Sequence, residues 1–422
     1  MTPHALYLLP LAAFLLTWCI FPLMVHIAHR YNIVDNPDAR KLQKEPVPVL
    51  GGVAVAIGIF IPLILAAAIF HITLLWYEIA VMFLLVLLGV TDDVRGLTAW
   101  TRFLIEVFLI WFLIWRTHLI INDLHGIWGL LPLTVWSALP LSLVAGVGII
   151  NAINLIDGVD GYSSGYGILA NTIFAATFLS LGDDVHGLFS AICAAALLPF
   201  FLHNVFGRTS KMFIGDGGSL LIGFIMVCDV FALLNDTSVA GQLLRDRGIS
   251  VVALSLAVLC IPVFDTLRVM CMRLTRGVSP FTPDKTHLHH LFIDMGFSHV
   301  GTSVTILSVN LLIILTWWLS YRLGASYDLQ FYLVILLGLL STFVFYPLMR
   351  RCQQRNNALW QLLTRIGSRT HFEQQGAWLT FQRFIDWNPF HHPDKAQPKP
   401  NRLRQKDGKK TETRRKRDED DT

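Results

Sequence analysis

The chain has 422 residues, 54% of them hydrophobic and only 15% charged, with a formal net charge of +4 and a mean hydropathy of +0.56. That composition excludes an ordinary soluble domain and gives nucleic acid nothing to hold. Cys19, Cys193, Cys228, Cys260, Cys271 and Cys352 lie inside or at the ends of apolar runs, with no CxxC spacing, which argues against a disulfide framework or a zinc module.

In chain order, about eleven apolar stretches read as membrane-spanning helices. They fall near 5–27, 49–70, 72–91, 103–121, 133–150, 166–182, 187–203, 218–234, 251–270, 301–320 and 327–349. The fourth and sixth are the weakest, each short or flanked by ambiguous turns. The expected fold is an all-α polytopic membrane protein. Only His4 precedes the first run and no small-x-small site follows it, so it reads as a retained helix rather than a signal peptide.

Loop charge sets the expected orientation. With the N-terminus outside, Arg30, Arg40, Lys41, Lys44, Arg95, Arg102, Arg208, Lys211, Arg268, Arg273, Arg276 and Lys285 fall inside, against Arg116, Arg245, Arg247 and Arg322 outside. The C-terminus then lies inside too. Loops 28–48, 92–102, 151–165, 204–217 and 271–300 share the cytoplasmic face, and the polar motifs lie in them. A single site at that surface is the economical reading.

The first loop, "VDNPDARKLQKEPVPVLGG" (Val34 to Gly52), mixes Asp35, Arg40, Lys41 and Lys44 with stiffening prolines. Its cations suit the steering of an anionic substrate. In "GVTDDVRGL", Asp92 and Asp93 close the third span. Adjacent helical residues diverge by about 100°, so one acid can address a metal or a substrate proton while the other pairs with a cation. Solvated acids at a helix end are the plain alternative, though the helix dipole disfavours acids there. In "NAINLIDGVDG", Asn151, Asn154, Asp157 and Asp160 recur every third residue, which on a helix makes one drifting polar stripe. Gly158, Gly161 and Gly165 loosen that helix for close ligand approach.

In "KMFIGDGGSLLIGF", Asp216 stands among glycines at the start of a span. Freed backbone N–H groups suit phosphate and the carboxylate suits a hard cation; a Gly-rich turn with a capping Asp is the alternative. There is no GxxxxGK[ST], so this is not a P-loop. "RLTRGVSPFTPDKTHLHH" holds Arg273, Arg276, Asp284, His287, His289 and His290. Zinc would need ligands from elsewhere; phosphate binding, or packing of an interfacial helix, are the other readings. Carboxylates, cations and glycines on one membrane face together suit Mg²⁺-assisted transfer of a phosphorylated group, one substrate being a lipid.

These five motifs, in this order and spacing over residues 5–350, resemble the signature loops of the polyprenyl-phosphate N-acetylhexosamine-1-phosphate transferases, glycosyltransferase family 4. "SPFTPDKTHLHH" is closer to the GlcNAc-1-phosphate branch that starts O-antigen and related glycans. The phospho-MurNAc-pentapeptide branch typically carries a "TPTMGG"-like string where this chain has "VPVLGG". The resemblance implies transfer of HexNAc-1-phosphate from a UDP-HexNAc to undecaprenyl phosphate, with Mg²⁺ or Mn²⁺, in a bacterial inner membrane. It implies that Asp216 and Asp157 ligate the metal. Asp92 or Asp93 would act on the lipid phosphate, with Asp92 favoured as base. Asp157 and Asp160 would lie by the nucleotide-sugar with Asn154 beside them. Asn204 and Phe213 would hold the uracil, and Lys44, Arg273, His287, His289 and His290 the donor's pyrophosphate and sugar end.

A phospho-MurNAc-pentapeptide transferase and a membrane transporter are the competing readings. A transporter predicts mid-span acids and an internal repeat. A homodimer is left open. Beyond the transferase domain (1–350), residues 351–392 form a juxtamembrane segment. Within it, "AWLTFQRFIDW" (Ala377 to Trp387) reads as an interfacial helix or a sticky linker. Residues 393–422 read as a disordered basic tail, solvated or in contact with anionic lipid.

Overall fold

The computed structural model describes residues 3–35, 46–130, 132–280, 282, 284–371 and 376–386. It is an all-α polytopic membrane protein. The long helices are α1 (Pro3–Tyr31), α2 (Gly51–Ile69), α3 (Thr73–Arg95), α4 (Ala99–Thr117), α5 (Val135–Leu155), α6 (Tyr162–Ser180), α7 (Asp184–Phe206) and α8 (Gly215–Leu233). Then come α9 (Val239–Asp246), α10 (Val251–Val258), α11 (Cys260–Thr275), α12 (Leu288–Asp294), α13 (His299–Arg322) and α14 (Tyr327–Leu339). A π turn (Leu340–Val344) joins α14 to α15 (Phe345–Arg355), and α16 (Ala358–Gly367) and α17 (Gly376–Ile385) follow. A small antiparallel pair, β1 (Val34–Asp35) with β2 (Val47–Pro48), flanks the first loop.

Each of the eleven apolar stretches is helical. Among the described residues, eight helices are long and apolar enough to cross a membrane, and α10 with α11, bent by 74°, would make a ninth. The two that fall short are α4 and α6. Charge at Arg102, Glu106 and Arg116 interrupts α4, and Ser163, Ser164, Tyr166 and Asn171 lower the hydropathy of α6.

Local chemistry fixes the helix ends. Thr98, Asp183 and Ser298 accept hydrogen bonds from the backbone N–H of Thr101, His186 and Gly301, which caps α4, α7 and α13. α3 stops at Gly96, whose φ of 67° is left-handed. At the α10–α11 break, buried Asn310 of α13 takes the Ile261 N–H on Oδ1 at 3.0 Å and donates Nδ2–H to Val258 O at 3.2 Å. The Tyr166 hydroxyl donates to the same carbonyl. A bend is tolerable in an apolar interior because these side chains satisfy the freed backbone groups.

The core is organised around α8, every residue of which from Gly217 to Leu233 is buried. Glycines let its neighbours approach to backbone contact. A Cβ on Gly52 of α2 would strike Gly218, one on Gly89 of α3 would strike the Asp216–Gly217 backbone, and one on Gly223 would lie 2.7 Å from the Ile150 Cα of α5. Small residues at such crossings are the usual way helices pack where no hydrophobic drive separates protein from lipid. Outward-facing Phe83, Leu87, Trp111, Trp115, Leu312 and Trp318 stay exposed, as a lipid-facing perimeter requires. Gly89→Ala should therefore cost about 1–3 kcal/mol by forcing α3 off α8. Gly148→Ala, where nothing lies within 4 Å, should be neutral or slightly stabilising. Thermal unfolding of both variants in one detergent checks the contrast; equal melting temperatures would contradict it.

Candidate active site

The helix ends that carry the polar motifs converge. Asp92 and Asp93 diverge as adjacent helical residues do. Asp92 accepts the Leu97 N–H at 2.5 Å on Oδ1 and an Arg102 Nη1–H at 3.3 Å on Oδ2. Asp93 instead receives the backbone N–H of Asp216, 3.0 Å from Oδ2 and 3.2 Å from Oδ1, at the positive start of α8. Arg102 is the hub. Its Nη1 lies 3.8 Å from Asp216 Oδ2 and its Nε 3.6 Å from Glu106 Oε1. Glu106, fully buried in α4, also accepts Asn151 Nδ2–H at 2.5 Å.

Asp216 keeps one open side. Asn154 Nδ2 donates to its Oδ1 at 2.8 Å and to Ser219 Oγ at 2.8 Å. Its side chain is 35% exposed, with Arg102 Nη1 3.8 Å from Oδ2 and the Asp92 carboxyl also within hydrogen-bonding reach. Asp157 stands by the same space and accepts Ser163 Oγ–H at 2.6 Å. Burial pushes its carboxyl up to about 7 against that hydrogen bond, and the charges of Asp216 and Asp160 add to the rise. Among the described residues no three His, Cys, Asp or Glu side chains form a complete metal cage. Mg²⁺ does not need one, since it takes one or two carboxylates and fills the rest with water and substrate phosphate. The all-oxygen donors Asp216 and Asp157 fit that habit.

The expected polar stripe is only half helical. α5 ends at Leu155, so Asn151 and Asn154 share its face, while Asp157 and Asp160 sit on the turn that follows. The glycines are the cause: Gly161 has φ 74°, and a Cβ on Gly158 would stand 2.7 Å from His289 Nε2. Asp160, next along the turn, is engaged by two side chains from other elements. It accepts Lys211 Nζ–H at 2.6 Å and lies 3.0 Å from His299 Nδ1. Burial alone would raise its carboxyl, but His299 and Lys211 outweigh burial and hold it below the usual range.

The histidine loop is built on a buried ion pair. Asp265 of α11 accepts Arg268 Nη2–H at 2.6 Å and Nε–H at 3.2 Å on Oδ1, and the Leu288 N–H at 3.0 Å on Oδ2. His287 Nδ1–H donates to that second oxygen at 3.0 Å, which leaves its buried Nε2 without a protein partner. The Arg268 guanidinium stacks 3.9 Å over the Tyr346 ring. Burial holds His289 well below the usual histidine range and His290 down at about 4, with His287 and Lys285 nearby adding to the latter. Both are neutral donors rather than cations. Arg273 is spent on the loop itself: it donates to Asp284 at 2.9 and 3.3 Å and to Pro280 O at 2.5 Å. Partial burial would raise Asp284, yet Arg273 and Thr286 hold it down at about 2.

Asn204 is buried, its Oδ1 accepting the Gly161 N–H at 2.7 Å and its Nδ2 donating to Met212 O at 2.9 Å. It locks two loops together. Phe213 donates its N–H to Pro48 O at 2.7 Å and accepts from Gly51 N–H at 3.0 Å, which docks the VPVLGG segment on the site. Its side chain is half-buried. Lys44 lies outside the described residues. Arg102, Glu106, Lys211, Asp265, Arg268 and His299 join the constellation without having been singled out for it. Arg102 with Glu106, and Asp265 with Arg268, carried a readable signal: ionisable pairs one turn apart inside apolar stretches. His299 carried none.

Comparison with known proteins agrees with this geometry. Residues 75–234 match the family model described as glycosyl transferase family 4. The undecaprenyl-phosphate alpha-N-acetylglucosaminyl 1-phosphate transferase of Escherichia coli K12 is 32% identical over 279 residues, 64% of this chain and 72% of that protein. The decaprenyl-phosphate N-acetylglucosaminephosphotransferase of Mycolicibacterium smegmatis is 32% identical over 295 residues, 65% and 71% of the two chains. A probable undecaprenyl-phosphate N-acetylglucosaminyl 1-phosphate transferase of Bacillus subtilis is 29% identical over 286 residues, 66% and 75%. The chain belongs to glycosyl transferase family 4, among its membrane-bound sugar-1-phosphate transferases.

Proposed function

We propose that the protein transfers N-acetylglucosamine 1-phosphate from its UDP-sugar to undecaprenyl phosphate, with Mg²⁺, and so begins a cell-surface polysaccharide such as O-antigen. The observation that carries the reading is Asp216, a partly open carboxylate at a glycine-lined helix start, with Asp157 beside it and Arg102 behind it. The names of the relatives support the lipid phosphate and the sugar.

A lipid-phosphate oxygen attacks the β-phosphorus of the donor. The new P–O bond joins lipid and sugar phosphates, the bond from the β-phosphorus to the bridging oxygen breaks, and UMP leaves with that oxygen and its electron pair. The lipid phosphate is already an anionic nucleophile, so direct attack needs positioning more than deprotonation. Bound Mg²⁺ would neutralise the donor's diphosphate, held by Asp216 and Asp157. Asp92 is engaged by the Leu97 N–H and Arg102, which favours Asp93 over Asp92 for contact with the lipid phosphate's proton. His287 Nε2, without a protein partner, can accept from a hydroxyl of the donor, and the neutral His289 and His290 each carry one N–H for it. Asp160, held by Lys211 and His299, borders the nucleotide-sugar. Loop charge supports a cytoplasmic site in a bacterial inner membrane, with the N-terminus outside.

The test is a transfer assay in detergent with undecaprenyl phosphate, Mg²⁺ and a panel of UDP-sugars, UDP-MurNAc-pentapeptide included, scoring both UMP and lipid-linked sugar. Mg²⁺-dependent product from UDP-GlcNAc supports the reading; no product from any donor by folded protein overturns it. Asp216→Asn should lower kcat by about 10²–10³ without loss of folded protein. Near-normal turnover would remove its metal role. Ala at His287 and His289 together should raise the donor KM by about tenfold, and an unmoved KM would assign the histidines to packing.

A further inference from the structure

The C-terminal extension, which lies beyond the stretch matched by the family model, residues 75–234, returns to the site at two places. At one, the Asp386 carboxylate that follows α17 sits in a cradle of backbone donors. Oδ1 accepts the N–H of Thr209 and of Ser210, each at 3.0 Å, and the Ser210 hydroxyl at 2.9 Å. The Arg208 N–H reaches both oxygens, at 2.9 and 3.1 Å. His203 continues the chain, its Nδ1–H donating to Ser210 Oγ at 3.0 Å while its ring stacks on Phe21 at 4.2 Å. Successive backbone N–H groups turned to one point form an anion nest, and here a side chain 176 to 178 residues away fills it. The rings of Trp378 and Phe381 against Phe206, at 4.5 and 4.9 Å, hold α17 in place.

At the other place, Thr370 after α16 accepts the Ser298 N–H on Oγ1 at 2.9 Å, and its carbonyl accepts the Ser298 hydroxyl at 2.7 Å. The two anchored loops share one target. The Asp386 loop leads directly to Lys211 and the Thr370 loop directly to His299, and these are the partners of Asp160.

We propose that the C-terminal extension is a clamp on the nucleotide-sugar end of the site, with Asp386 a positioning residue that acts through the 208–213 loop and Lys211 on Asp160. The placing of Asp160 by the donor rests on the function proposed above. The extension thus does more than trail from the last span. It closes a ring of contacts that holds Lys211 and His299 on one oxygen, Oδ2, of Asp160.

Hydrogen exchange on the full-length protein in detergent reads the clamp without activity. Asp386→Ala should speed exchange of the 208–213 amides by on the order of tenfold, with Asp386→Asn in between, because its carboxamide oxygen still accepts. In the transfer assay Asp386→Ala should raise the UDP-sugar KM about fivefold with kcat within about twofold, and Asp386→Asn should recover part of that loss. Unchanged exchange at 208–213, or faster exchange with KM unmoved, overturns the proposal. So does a kcat loss that merely tracks lost folded protein. Faster exchange in a protein whose wild type uses no donor would uphold the clamp and overturn the donor reading instead.

Discussion

One guanidinium among three carboxylates sets the terms for this site. Arg102 reaches Asp92, Glu106 and Asp216 at 3.3, 3.6 and 3.8 Å. Like charges 4 Å apart repel by about 4 kcal/mol at an effective dielectric near 20. With Asp93 and Asp157 close by, a single cation leaves negative charge in excess. Such a cluster holds together only if part of it is protonated or a further cation arrives. On the proposed function, a divalent ion arriving with the donor's diphosphate would relieve that repulsion.

The geometry that concentrates these acids comes from glycine. Asp216 reaches its neighbours because Gly52, Gly89 and Gly223 let α2, α3 and α5 lie against the α8 backbone. The same close approach brings the Asp216 N–H onto Asp93. Packing and chemistry thus meet at the start of one helix. Around this rigid centre, loops supply the specificity-bearing groups, and buried ion pairs shape those loops. The Asp265–Arg268 pair builds the floor under His287, and the Arg273–Asp284 pair folds the loop before it. Paired and hydrogen-bonded as they are, these buried charges are costly to break singly.

Much of this was legible in the sequence. Apolar runs gave the helices, and the two weakest, at 103–121 and 166–182, are weak because they hold Arg102, Glu106 and the polar start of α6. What blurred the span signal was the site itself. Asp92 and Asp93 diverge as their adjacency requires, and Asp216 stands where glycines and a helix start placed it. The stripe through Asp160 was read too far, since periodicity alone does not register that Gly158 and Gly161 end the helix. The resemblance implies a donor role for Arg273, and its ion pair with Asp284, eleven residues away, is a contact the loop's sequence does not announce. His299 and Asp386 were beyond reach, because their partners lie 139 and more than 170 residues distant and no local pattern encodes such pairings.

The claim that the acids at the start of α8 receive a divalent cation together with the donor is tested most directly by Mn²⁺ binding. Electron paramagnetic resonance would follow free Mn²⁺ as detergent-purified protein is titrated in, with and without UDP-GlcNAc. The account predicts tight, nucleotide-enhanced binding by the wild type and its loss in Asp216→Asn. Equal binding by the two proteins would contradict it.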